Sequence, residues 1–166
     1  HSAPPPGAHP SSTPPRRVYG TNPMAFAFPR ADGENPLVWD QASSACARGE
    51  IQIALRDGKP LPIHPPVALD PSGAPTADAV AALEGAQLPF GAHKGAMIAM
   101  MVELLAAALA GGALATDAAD AARGWAGPTS NGQLLIAIDP RAFGGGDAAG
   151  PLDTCERLMK TILESE

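Results

Sequence analysis

The stretch Gly-Thr-Asn-Pro-Met-Ala-Phe-Ala-Phe-Pro at residues 20–29 joins a turn to a strand. Proline pins its own φ and drives the preceding Asn22 away from helical backbone, so residues 20–23 cannot continue a helix. Met24 to Phe28 then alternates large and small apolar side chains without a helical period, and Pro29 closes the run, which predicts a strand. Leu37-Val-Trp39 predicts a second strand, and the Asp-Gly pair at 32–33 favours a hairpin reversal between the two.

Working outward, residues 43–56 (SSACARGEIQIALR) place Ala47, Ile51 and Leu55 at helical spacing, with serine available as a cap and Gly58 just beyond the end. Lys59 to Pro75 holds six prolines and an Asp-Pro-Ser-Gly turn, which predicts a surface loop with little internal hydrogen bonding, of a length that often carries function. Thr76 can cap a short helix that stops at Gly85. A stronger, buried helix is expected from Lys94 to Ala110, interrupted by Glu103 and stopped by Gly111-Gly112. Gln133 to Ile138 predicts an apolar strand, residues 143–150 a flexible connection, and Pro151 to Leu163 a closing helix. Two opening strands followed mainly by helices lack the regular alternation of a doubly wound sheet, so the predicted class is mixed α/β (α+β).

Composition narrows the function classes. The 166 residues suit one domain with a real core, and 45% hydrophobic against 4% aromatic side chains means a core of Ala, Leu, Ile, Val and Met. With 11 basic and 17 acidic residues the net charge is -6, so no basic field exists to collect a nucleic acid. The run from Ala96 to Ala110 is shorter than the roughly 20 residues a bilayer crossing needs, so no membrane role is expected. Residues 1–17 are an extended Pro-rich segment without the apolar core of a signal peptide. Cys46 and Cys155 match no metal-ligand or redox spacing and read as reduced thiols of a cytoplasmic protein. The five methionines and Trp125 are assigned to the core.

Two stretches could carry chemistry. In residues 90–97 (FGAHKGAM), His93, Lys94 and Gly95 fall where a loop enters the long helix; exposed amides and the helix dipole would attract an anion there, and Lys94 would add a point charge. The same residues also suit a plain glycine-rich turn with a solvated lysine. In residues 39–52 (WDQASSACARGEIQ), Asp40, Arg48 and Glu50 surround a strand-to-helix passage: they form either a surface ion pair or, with Glu50 beside an imidazole, the acidic member of a proton relay. The chain contains no GxGxxG after a strand, Walker A loop, HExxH or GxSxG.

Taken together and in order, GTNPMAFAFP, DQASSACARGEI, DPSGAPTAD, LPFGAHKGAMIAMMVELLA and NGQLLIAIDP resemble the malate/L-lactate dehydrogenase family that is unrelated to Rossmann-type enzymes, over about residues 16–140. The resemblance implies a largely antiparallel non-Rossmann sheet with packed helices and an NAD(P)H-dependent oxidoreductase of small 2-oxo, 2-hydroxy or cyclic 2-imino acids. By position it implies that Thr21 contacts the substrate carboxylate with Asn22 shaping the turn. Arg48 and Gly49 would lie on the substrate side, and Glu50 would support a catalytic histidine. Asp40, Gln41, Ala42, His93 and Lys94 would bind the cofactor.

Three features depart from the family pattern: Ala92 stands where a second glycine is usual, Ala77 replaces a hydroxyl, and the family's Ser-His helix and C-terminal glycine-rich loop have no counterpart in these residues. Residues 18–166 are therefore expected to be an NAD(P)-binding domain fragment of a longer homodimeric enzyme, inactive alone, with NADP preferred to NAD. The wording of ARGEIQ and HKG points to Δ1-piperideine-2-carboxylate/Δ1-pyrroline-2-carboxylate reduction. The alternatives are a malate/lactate-type dehydrogenase and a noncatalytic assembly fragment.

Overall fold

Alternation at residues 24–28 is realised as strand β1 (Met24–Phe28), which pairs with β2 (Leu37–Gln41) in a two-stranded sheet. The computed structural model describes residues 17–31, 33–117, 132–143 and 149–165. The expectations for residues 1–16, for Trp125 and for most of the 143–150 connection lie outside them. The chain forms two compact units, residues 1–24 with 41–134 and residues 25–40 with 135–166.

In the second unit Phe26 and Phe28 point to one face of β1, as residues two apart must, and their rings stack with centroids 6.4 Å apart. The chain ends in a helix from Ala149 to Leu163, starting two residues before the proline expected to open it. Its Glu156 receives a bidentate contact from Arg30, at 3.0 Å from Nε and 2.7 Å from Nη2, and a further bond from the Ala31 amide at 3.2 Å. The Arg30 guanidinium holds the Glu156 carboxyl below its usual range, so the pair lends stability above that range and loses it as pH falls. Leu135, Ile136 and Ile138, expected in a strand, have no strand partner among the described residues and are 92%, 74% and 65% exposed.

The first unit holds the core. Helix α1 (Arg48–Asp57) ends on Gly58 in left-handed backbone, φ 64°, which lets the Lys59 amide bond back to Ala54 O at 2.9 Å. Ile51, which is 1% exposed, packs from α1 against Leu61, Val67, Ala68, Ala79 and Ala82. Three of these belong to the proline-rich segment that reads as a surface loop. Its extended backbone includes β3 (Ala68–Leu69), paired antiparallel with β4 (Ala86–Gln87), and it is hydrogen-bonded outward from Leu61 N to Ala77 O and from Thr76 N to Ala68 O. Proline lacks an amide donor but does not prevent the residues between prolines from burying side chains.

Helix α2 (Ala79–Glu84) is capped by Asp78, whose carboxylate accepts from Val80 N at 2.8 Å, and not by Thr76. Helix α3 (His93–Val102) continues as a π-helical turn over Glu103–Ala108, with Leu109 N bonded to Leu104 O, instead of one α-helix to residue 110. The methionines of α3 do not fill the core: Met97 is 57% exposed, and Met100 and Met101 are also exposed.

Candidate functional site

The segment between β2 and α1 organises the candidate residues. Serine at 43 does not cap the helix, which begins five residues later at Arg48. Ser43 is 2% exposed and acts as a junction in the first unit. Its amide donates to Thr21 O at 2.9 Å, its hydroxyl to Asn22 O at 2.6 Å, and its carbonyl accepts from Phe90 N at 3.1 Å. Ala45 N donates to Leu88 O at 2.7 Å, and Ser44 bridges Pro89. The turn bearing Thr21, the passage through Ala42, and the loop leading to His93 and Lys94 are thereby fastened to one another by backbone, so their relative placement does not depend on flexible side chains.

Asn22 is the second fastening. It is buried, holds φ at 42°, a region asparagine tolerates better than most residues, and uses its amide in three directions. Oδ1 accepts from Gly20 N at 2.9 Å, while Nδ2 donates to Ala99 O at 3.0 Å and to Glu103 Oε1 at 2.7 Å. Glu103 had no role in the sequence reading beyond interrupting an apolar run. A lone carboxylate inside such a run was the available signal, since a half-buried charge requires partners.

At the start of α3, Gly91 (φ 52°) and Ala92 (φ 53°, ψ -114°) turn the chain sharply. The Lys94 stem lies over Gly91, and the His93 and Lys94 side chains are exposed at the dipole-positive end of a ten-residue helix. Among the described residues Lys94 has no carboxylate partner, so its charge is available to an anion. Gly95 is buried beneath this turn. Ala92 occupies glycine backbone at a cost, because its Cβ crowds the following peptide; Ala92→Gly is expected to raise stability by about 1–2 kcal/mol in denaturant unfolding.

At the start of α1, Arg48 and Gly49 are exposed, and Glu50 closes a local cap by accepting from Ala47 N at 2.6 Å. The Glu50 carboxylate also faces the Cys46 thiol. Burial first, and then this carboxylate, push that thiol up to about 11. A thiol raised in the folded state adds stability below its unfolded value near 9 and loses it as pH climbs toward 11. Cys46→Ala is therefore expected to flatten the fall in melting temperature between those limits, and alkylation of Cys46 is expected to stay slow until the pH approaches the upper one.

A cavity of about 200 Å3 lies beside this region, lined among others by Arg17, Tyr19, Ser43, Arg48 and Gln87. Arg17, not singled out in the sequence, donates to the Glu84 carbonyl; burial and the neighbouring Arg48 charge both lower its proton affinity. Two guanidinium groups at one cavity suit a small anion. Thr21, Glu50, His93 and Lys94 are outside its lining. Gln41 and Ala42 belong to the first unit with the other candidates, whereas Asp40 ends the β2 portion of the second. Among the described residues no group of three acidic, histidine or cysteine side chains could hold a metal, and no helix is long and apolar enough to cross a membrane.

Comparison with known proteins adds a second, independent line. The family profile described as malate/L-lactate dehydrogenase matches residues 6–166. A Pseudomonas aeruginosa protein named Δ1-pyrroline-2-carboxylate/Δ1-piperideine-2-carboxylate reductase is 48% identical over 147 residues, covering 89% of this chain and 43% of that protein. Among solved structures, the Δ1-piperideine-2-carboxylate reductase of Pseudomonas syringae pvar. tomato superposes with a TM-score of 0.71 at 40% identity, over 87% of this chain and 46% of that one. The sulfolactate dehydrogenase of Methanocaldococcus jannaschii gives 0.64 at 32% identity, over 89% and 43%. The chain thus spans less than half the length of the relatives it matches.

Proposed function

The chain belongs to the malate/L-lactate dehydrogenase family, a family of oxidoreductases with a non-Rossmann mixed fold, and from that premise we propose that residues 18–166 are the NAD(P)-binding part of a longer enzyme that reduces a small cyclic imino acid. The substrate class is Δ1-pyrroline-2-carboxylate and Δ1-piperideine-2-carboxylate, the compounds named for relatives 45–49% identical to this chain. The observation that carries the reading is the Ser43 junction, which fastens the Thr21 turn to the loop bearing His93 and Lys94 and so gives an acid and a dinucleotide a common frame.

The exposed start of α3 fits a dinucleotide phosphate: Lys94 is without a carboxylate partner among the described residues, and the helix dipole favours negative charge. His93 and Lys94 would hold that group, with Asp40, Gln41 and Ala42 along the cofactor. When bound, the nicotinamide supplies the hydride that reduces C2 of the imine, and NADPH is the proposed donor. Thr21, Arg48 and Gly49 hold the substrate carboxylate, with Arg17 adding a second positive group at the cavity beside Arg48. Glu50, already oriented by the Ala47 amide, would steady the imidazole that gives a proton to the ring nitrogen. The enzyme is proposed to be a cytoplasmic homodimer.

A turnover panel on the intact enzyme tests this. Reduction of the two cyclic imines with NADPH, without oxidation of malate or lactate, is the expected result. Oxidation of the hydroxy acids instead would move the enzyme to the second substrate class, and no turnover with either nicotinamide would favour a noncatalytic assembly role. Lys94→Ala is expected to raise the Kd for NADPH about tenfold or more, as befits loss of a charge-assisted contact of roughly 1.5–3 kcal/mol; unchanged affinity would remove Lys94 from the site.

A further inference from the structure

Helix α3 and its π-helical continuation touch both halves of the candidate site. The first turn carries His93 and Lys94, and the later residues Ala99 and Glu103 take both hydrogens of the Asn22 side-chain amide, at 3.0 and 2.7 Å. The other Glu103 oxygen accepts from the Ala115 amide at 3.0 Å, which fixes the carboxylate from the opposite side. Asn22 in turn holds Gly20 N through Oδ1, so the bonds around Thr21 close on a carboxylate some eighty residues later in the chain.

A π turn widens the helix and re-aims the side chains that follow, and such turns recur at functional sites. Here it begins at Glu103. Along the axis, Lys94 and Ala99 stand about 7–8 Å apart at 1.5 Å per residue, a separation a packed helix keeps rigid.

We propose that Glu103 is a positioning residue: through Asn22 it holds the Thr21 turn in register with the helix that carries His93 and Lys94 at its start. The inference rests on the substrate and cofactor roles given above for Thr21, His93 and Lys94. It adds that the alignment between acid and cofactor is set by one carboxylate touching neither. Loss of that carboxylate would leave the cofactor end intact and let the acid-binding turn drift.

The test uses the intact enzyme with Glu103→Ala and Glu103→Gln. In Glu103→Ala the KM for the cyclic imino acid rises at least tenfold while the KM for NADPH stays within twofold; Glu103→Gln, whose carbonyl still accepts from Asn22 Nδ2 but whose NH2 cannot accept from Ala115 N, keeps the NADPH KM within twofold and gives an imino-acid KM between wild type and Glu103→Ala. Should Glu103→Ala fail to fold, Glu103→Asp keeps the charge, shortens the reach, and is expected to give the same split. Equal rises in both KM values, or an unchanged imino-acid KM, would overturn the proposal. Hydrogen exchange at the Gly20 and Ser43 amides reads the positioning without substrate: it accelerates tenfold or more in Glu103→Ala and is slowed again, part of the way to wild type, in Glu103→Gln. Wild-type exchange in Glu103→Ala overturns the proposal. If the wild-type enzyme reduces no cyclic imine, the functional reading is what fails, and the exchange rates still decide the role of Glu103.

Discussion

A Gly95→Ala variant loses about 3–5 kcal/mol of stability, the range of severe core lesions. An added Cβ would stand 2.3 Å from Phe90 O and 2.8 Å from both Phe90 N and Ser43 O. All three atoms are backbone, and two of them form the Phe90–Ser43 hydrogen bond, so no side chain can rotate aside to make room. Relief requires the 88–95 loop to part from Ser43, which separates the phosphate-binding candidates from the Thr21 turn. The expected result is a melting temperature lowered by about 6–20 °C together with loss of NADPH affinity. A variant with wild-type melting would show that the loop does not pack against Ser43.

Gly85→Ala has an effect of the same size, about 3–5 kcal/mol, at the rim of the cavity that Arg17 and Arg48 line. Its Cβ would lie 1.9 Å from Leu69 O, at the point where α2 turns into β4 beside β3. The β3–β4 pair would have to open, and with it the contact that seats Ala68, which is fully buried, against Ile51. Urea unfolding gives the measure: a lower midpoint with an unchanged slope is expected, because the lesion weakens the native core without altering the surface exposed on unfolding.

These glycines illustrate how unevenly the fold was legible. The alternation in Met24–Phe28 and the helical spacing of Ile51 and Leu55 are local patterns, and both gave the right element. Ser43 looked like a helix cap because capping is the common local use of serine, yet its hydroxyl serves Asn22 O twenty-one residues away. Such a partner exists only once the chain has folded. Prolines at 60, 62, 65, 66, 71 and 75 concealed a buried segment, since a two-residue strand is too short to leave a period and Leu61, Val67 and Ala68 are buried by tertiary contact alone. The apolar run from 133 to 138 had the composition of a strand, but extended preference becomes a strand only where a partner supplies the hydrogen bonds.

The candidate site divides along the same line. His93 and Lys94 were legible because a helix start and a lysine are local features, whereas the Asn22–Glu103 bond joins two residues whose kinship no spacing rule discloses. Arg17 was similarly hidden: nothing in its neighbours announces a cavity shared with Arg48.

The π turn at Glu103–Ala108 has a meaning in the language of insertions and deletions. A turn of this kind holds an extra residue between end points that α geometry would span with fewer, so a change of one residue in length can be taken up there without breaking the helix. Deleting one residue between Leu104 and Ala108 would tighten the turn toward α geometry and leave the flanking ends in place, whereas the same deletion in an α segment would swing everything beyond it by about 100° around the axis. Glu103 would then keep both Asn22 and the Ala115 amide, so the slack in length that this one turn holds is what lets the carboxylate stay held from both sides.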